Sequence, residues 1–161
     1  MKKFLLYILL SYVALSVQAI FLKGIKPDFV LILVCFYSLR HGLVNGVAFG
    51  AAAGLLMDIA SGFLVGPHIL SKALAALLVT ILRENLFQWN IFINTLVITA
   101  LAALDIFLIY ICNEFFSQVS FGNRPLDVAF MQIILTTAAA AVLYVFFNLG
   151  RKSPVITDTG P

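Results

Sequence analysis

Four ionisable side chains stand in otherwise apolar stretches of this chain: Asp58, His68, Lys72 and Asp105. A charge in such surroundings must find a partner, line a path for ions or protons, or take part in chemistry. His68 and Lys72 lie four apart, which puts them on one face of a helix. One Lys72–Asp105 or Lys72–Asp58 pair would satisfy both charges. A structural ion pair is the plainer reading, and a proton or substrate path is the alternative. Asp58 could instead lock a turn by accepting hydrogen bonds from Ser61 or the Gly62 amide, or it could anchor a partner or small ligand.

Catalytic readings find little support. Two intramembrane aspartates could form a dyad, but Leu-Leu-Met precedes Asp58 and Ala-Ala-Leu precedes Asp105, not the GxG of membrane aspartyl proteases. No serine sits in a GxSxG turn. Gly54-Leu-Leu-Met-Asp58 matches only a fragment of the acidic motif of phosphatidyl-alcohol transferases. The two histidines, His41 and His68, fall on different elements without a spaced carboxylate or thiol, so no metal site is expected. Cys35 and Cys112 lie in separate apolar runs with no CxxC, and neither a disulfide nor a cofactor is expected. The chain reads as a non-enzyme.

The elements that carry these residues are membrane helices. The 161 residues are 63% hydrophobic and 11% charged, against about 25% charged in soluble domains. That composition excludes an ordinary water-soluble domain and predicts one integral membrane domain over residues 1–150. A polar tail follows at 151–161, with Pro154 and Pro161, and is expected to be disordered. The net charge of +3 is too small, and too scattered, to suggest nucleic acid.

Six helices are expected, at Phe4–Leu22, Phe29–Leu39, Leu43–Ile59, from Pro67 or His68 to Leu82, Phe92–Phe115 and Leu126–Phe147. The first resembles a secretory signal, but its apolar run continues to Lys23 and reaches the roughly 20 residues a span needs. It is read as an uncleaved helix. The second is short for a span, with Arg40-His41-Gly42 as a solvated interruption after it. Trp89 suits the headgroup level. Lys2, Lys3, Arg40, Arg83, Arg151 and Lys152 fall on one side, while Lys23, Lys26 and Arg124 fall on the other. The positive-inside rule then puts both termini in the cytoplasm.

The third helix carries the most informative pattern. Gly42, Gly46, Gly50 and Gly54 recur at every fourth residue, and Asp58, Gly62 and Gly66 continue the rhythm. Positions four apart share a face, and a face without side chains lets another helix approach closely. Internal packing is slightly favoured over a partner contact for this stripe.

Lys26-Pro27-Asp28-Phe29-Val30-Leu31-Ile32-Leu33, the glycine series, and Gly54-Leu-Leu-Met-Asp58-Ile-Ala-Ser61-Gly62-Phe-Leu-Val-Gly66 together resemble MreD, a family of bacterial rod shape-determining membrane proteins. Ala103-Leu104-Asp105 adds to the likeness. The resemblance implies a six-helix fold like the substrate-binding subunits of energy-coupling-factor transporters. It also implies the plasma membrane and a scaffold role in the complex that elongates side-wall peptidoglycan. The implied partners are a bitopic MreC-like protein and, through it, MreB filaments, RodA and a class B penicillin-binding protein, besides membrane lipid. It transfers no catalytic residue. It marks Pro27, Asp28, Gly54, Asp58, Ser61, Gly62 and Gly66 as positions that matter for a partner or for structure. A vitamin-type substrate-binding subunit of a transporter is the competing function, although the chain offers few polar residues for such a pocket.

Overall fold

The computed structural model describes residues 2–21, 26–62, 65–85, 91–116 and 126–149. These form six helices and no strand: α1 Lys2–Phe21, α2 Phe29–His41, α3 Leu43–Ser61, α4 Pro67–Asn85, α5 Ile91–Phe116 and α6 Leu126–Leu149. Lys23, Trp89, Arg124 and the polar tail lie outside the described residues. By length and composition, Leu43–Ser61 and Thr95–Cys112 are clearly able to cross a membrane. The others are shorter or less uniformly apolar.

The boundaries follow from local chemistry. The Asp28 carboxylate accepts from the Leu31 N–H at 2.8 Å and caps α2, satisfying an amide that the helix itself leaves open. Gly42 adopts φ +79°, ends α2 through its N–H on the Ser38 carbonyl, and opens α3. One residue thus caps the end of one helix and the start of the next. Arg40 and His41, expected as a solvated interruption, are instead the final turn of α2, where cationic side chains suit the carbonyl end of the dipole. His41 stacks on Tyr37 with ring centroids 4.1 Å apart. Gly62 ends α3 in the left-handed conformation at φ +67°, a stop that other residues take up poorly. Pro67 opens α4, where its missing N–H costs nothing.

The short helix α2 is the centre of the bundle and packs against all five others. One side of it, with Leu31, Ile32 and Cys35, joins Ala75 and Val79 of α4, Val97, Ile98 and Leu101 of α5, and Ala140 of α6. The other side, with Val30, Val34 and Tyr37, meets Phe49 and Ala53 of α3 and Ala76 of α4. Phe4, Tyr7, Ile8 and Leu15 of α1 close over that second cluster. A helix buried all round needs no amphipathic stripe, which is why residues 29–35 read as an unbroken apolar run. The outward faces of α1, α5 and α6 are also apolar: Leu5, Leu9, Phe107, Phe130 and Ile134 are each about three-fifths exposed or more. Such faces suit hydrocarbon and would be unsuited to water.

α3 and α4 form the tightest pair, and glycine is the reason. A Cβ added at Gly50 would lie 2.5 Å from the Lys72 carbonyl oxygen, and one at Gly54 would overlap the backbone of His68. At Gly46 it would meet the Ser38 side chain of α2 at 2.6 Å. Gly46, Gly50 and Gly54 therefore seat neighbouring helices of the same chain. Gly42 does not belong to that packing face: nothing lies within 4 Å of where its Cβ would be, and its role is the helix junction. The four-residue rhythm extends one step further than the contact does.

Candidate functional site

The polar residues converge near the α3–α4 turn. Lys72, completely buried on α4, places Nζ 2.5 Å from Asp28 Oδ2 and 2.7 Å from Asp105 Oδ1. The pairing expected with Asp105 forms, and Asp28 joins it as a third member. Asp28 makes further bonds: its N–H donates to Thr136 Oγ1 of α6 at 2.9 Å, and its Oδ1 caps α2. The Thr136 hydroxyl in turn donates a hydrogen bond to the Gln132 carbonyl at 2.7 Å. Gln18 of α1 donates to the carbonyl of the neighbouring Pro27. One node thus ties α1, α2, α4, α5 and α6 together. Buried charges survive only when paired and hydrogen-bonded, and all three here are.

Asp58 is not part of this node, and the alternative Lys72–Asp58 pair does not form. Its carboxylate, 1% exposed, turns across to the start of α4. It accepts from the Gly66 N–H at 2.8 Å, the His68 N–H at 3.1 Å and the Ile69 N–H at 3.2 Å. Placement at the carbonyl end of its own helix is unfavourable for an anion, but placement over the amide end of the next helix is favourable. The second effect wins because three charge-assisted hydrogen bonds outweigh the field of one helix end. Ser61 Oγ and the Gly62 N–H do bond to Asp58, but to its backbone carbonyl. Asp58 therefore fastens α3 to α4 and offers no surface to a partner. Ser61 and Gly62 are exposed in the turn, as is Val65.

His68 lies one turn before Lys72 on α4, partly exposed. Its Nδ1 is buried without a hydrogen-bond partner. No group of three or more His, Cys, Asp or Glu able to hold a metal occurs among the described residues. At the opposite end of the bundle, Arg83 of α4 donates to the Leu39 carbonyl and closes the last turn of α2.

Of the residues marked by sequence, the structure brings Pro27, Asp28, Lys72 and Asp105 into one node. It brings Asp58 and Gly66 into a separate clamp, with Gly54 beneath it against His68. Thr136 and Gln18 went unmarked. Both lie on helices whose pattern is generic, and a single hydroxyl or amide in an apolar helix carries no sign of its distant partner.

The sequence model of the rod shape-determining protein MreD family matches residues 1–152. No curated protein and no solved structure matches the chain, so the expected likeness to energy-coupling-factor subunits has no support from a fold comparison. The apolar helices and the family together point to a membrane protein with a part in determining rod shape, and the family is not one of known enzymes. The match runs through all six helices and holds both the buried node and the glycine-seated pair, and on that extent the chain belongs to the MreD family.

Proposed function

We propose that this chain is a non-catalytic membrane scaffold of cell-wall elongation, crossing the plasma membrane six times with both termini in the cytoplasm. It holds a bitopic MreC-like protein, and through it MreB filaments, RodA and a class B penicillin-binding protein, to organise lateral peptidoglycan synthesis. The family match over residues 1–152 carries this reading. Two observations support the scaffold over a binding subunit. The interior is occupied by packed side chains and by a node whose members bond to each other. The outward faces of α1, α5 and α6 are apolar and broad, as a protein that meets others within a bilayer requires.

The test is co-purification in mild detergent of the tagged chain with its co-expressed bitopic MreC-like partner. A stoichiometric complex that survives a salt wash is the expected result, because contacts within the bilayer are not screened. Absence of the complex in every gentle detergent and in nanodiscs would overturn the proposal.

A further inference from the structure

The end of the bundle opposite the Asp58 clamp is basic. α2 and α4 both finish there, with Arg40 and Arg83 in their last turns, and both residues are exposed. Arg83 donates to the carbonyl of Leu39, the residue before Arg40, so two cationic residues from different helices meet. α1 begins at the same end: Phe4 packs edge-on against Tyr37 and Phe49, which brings the first turn with Lys2 and Lys3 close by. In the terminal turns of α1 to α4 at this end, the sequence sets one acid, Glu84, against these four cations. His41 is turned inward, with Nδ1 on the Tyr37 carbonyl at 3.1 Å and its ring on that of Tyr37. Apolar surface adjoins the arginines. Gly54 against His68 and Gly50 against Lys72 set the register of α3 and α4. Carried on, that register puts the start of α3 level with the last turns of α4. Leu43 and Val44 of α3 and Ile81 and Leu82 of α4 are exposed there.

We propose that Arg40 and Arg83 hold the phosphate of one anionic phospholipid, whose acyl chains lie along Leu43, Val44, Ile81 and Leu82. The planar guanidinium fork matches phosphate oxygens in pairs, and it carries several N–H donors, so the bond to Leu39 leaves most of the Arg83 fork to a ligand. The helix ends do not oppose an anion, because Gly42 sets the carbonyl end of α2 against the amino end of α3 and the two fields offset. A zwitterionic headgroup would return a cation to an end that is already basic. A soluble phosphate would leave the adjoining apolar residues uncovered. The bound phosphate ties α2 to α4 at their shared end, as Asp58 ties α3 to α4 at the other. This inference rests on the membrane placement proposed above and not on the MreC-like partner.

Native mass spectrometry of the full chain in detergent, titrated with phosphatidylglycerol and with phosphatidylcholine of the same acyl chains, tests the site. Phosphatidylglycerol should bind more tightly, on the order of tenfold or more. Arg40→Gln with Arg83→Gln should bring it down to the phosphatidylcholine level. Lys26→Gln, the same loss of charge at the opposite, exposed end of the bundle, should leave the preference intact. Arg40→Gln alone keeps the Arg83–Leu39 bond and should lower the preference severalfold, and it decides the matter should the double variant not fold. No preference in the wild type, a preference that survives in the double variant, or an equal loss in Lys26→Gln would overturn the proposal. So would free glycerol phosphate that competes as well as the lipid does, since the site would then take a soluble anion. A chain that never enters the membrane fraction would refute the membrane placement itself, whereas an embedded chain without the preference refutes only this site.

Discussion

At the scale of single residues, Lys72 matters most, because it is a buried cation holding two anions, one at the cap of α2 and one on α5. Lys72→Met leaves both carboxylates buried without a counterion and should cost roughly 3–5 kcal/mol, measured as loss of thermal or denaturant stability in detergent. Asp105→Asn should cost clearly less, because it removes one acid and leaves a balanced pair. The triple change Asp28→Asn, Lys72→Met, Asp105→Asn should recover most of what Lys72→Met loses. A triple variant no more stable than Lys72→Met would show that the node does more than balance charge. Two of the three members of this node are legible in the residue pattern. Lys72 and Asp105 each interrupt a long apolar helix, and a charge in such a place must find a partner. Asp28 is marked only by the family resemblance, because next to Lys26 and Pro27 it looks like an ordinary solvated loop residue. Only the burial of Pro27 and Asp28, with the Asp28 N–H bonded to Thr136 of α6, makes it interior.

At the scale of elements, α3 and α4 behave as one unit with two fasteners. Gly50 and Gly54 allow backbone contact along the pair, and Asp58 ties its open end. Gly54→Leu should force the helices apart and abolish folding, while Gly54→Ala should cost about 1–3 kcal/mol from overpacking. Gly42→Ala should act differently: it meets no neighbour, and its cost of about 1–2 kcal/mol comes from the left-handed backbone alone. Comparing the three by thermal denaturation separates contact from conformation. Asp58→Ala removes acceptors from three amides and should cost about 2 kcal/mol or more. Hydrogen exchange should rise first at Gly66, His68 and Ile69. The helices themselves are readable, since Pro27, Gly42, Gly62 and Pro67 mark their ends in composition as well as in space. That His41 belongs to α2, and not to a turn, is unreadable from spacing. It depends on stacking against Tyr37 and on Arg83 reaching Leu39 from a helix more than forty positions away.

At the scale of the whole molecule, the node and the Asp58 clamp lie toward the α3–α4 turn, whereas Arg40, His41 and Arg83 lie at the opposite end. If the termini are cytoplasmic, as proposed, a cysteine at Ser61 should react in intact cells with a membrane-impermeant maleimide. One at Asn85 should react only after permeabilisation, with Cys35 and Cys112 replaced by serine in both. The reverse pattern would invert the proposed topology. The central helix sets a further condition, on the order of assembly. At 13 residues, α2 is about 20 Å long, well short of the roughly 30 Å of hydrocarbon. Its capping aspartate finds Lys72, Asp105 and Thr136 only in helices made later. While the chain is being synthesised, α2 thus has neither the length to settle in a bilayer nor, with α1 and α3 alone, the partners for its buried carboxylate and its second face. It must wait at the insertion machinery or at the interface until α4 to α6 arrive. A chain stopped after α3 should therefore be degraded, although it already contains the helix around which everything else is packed.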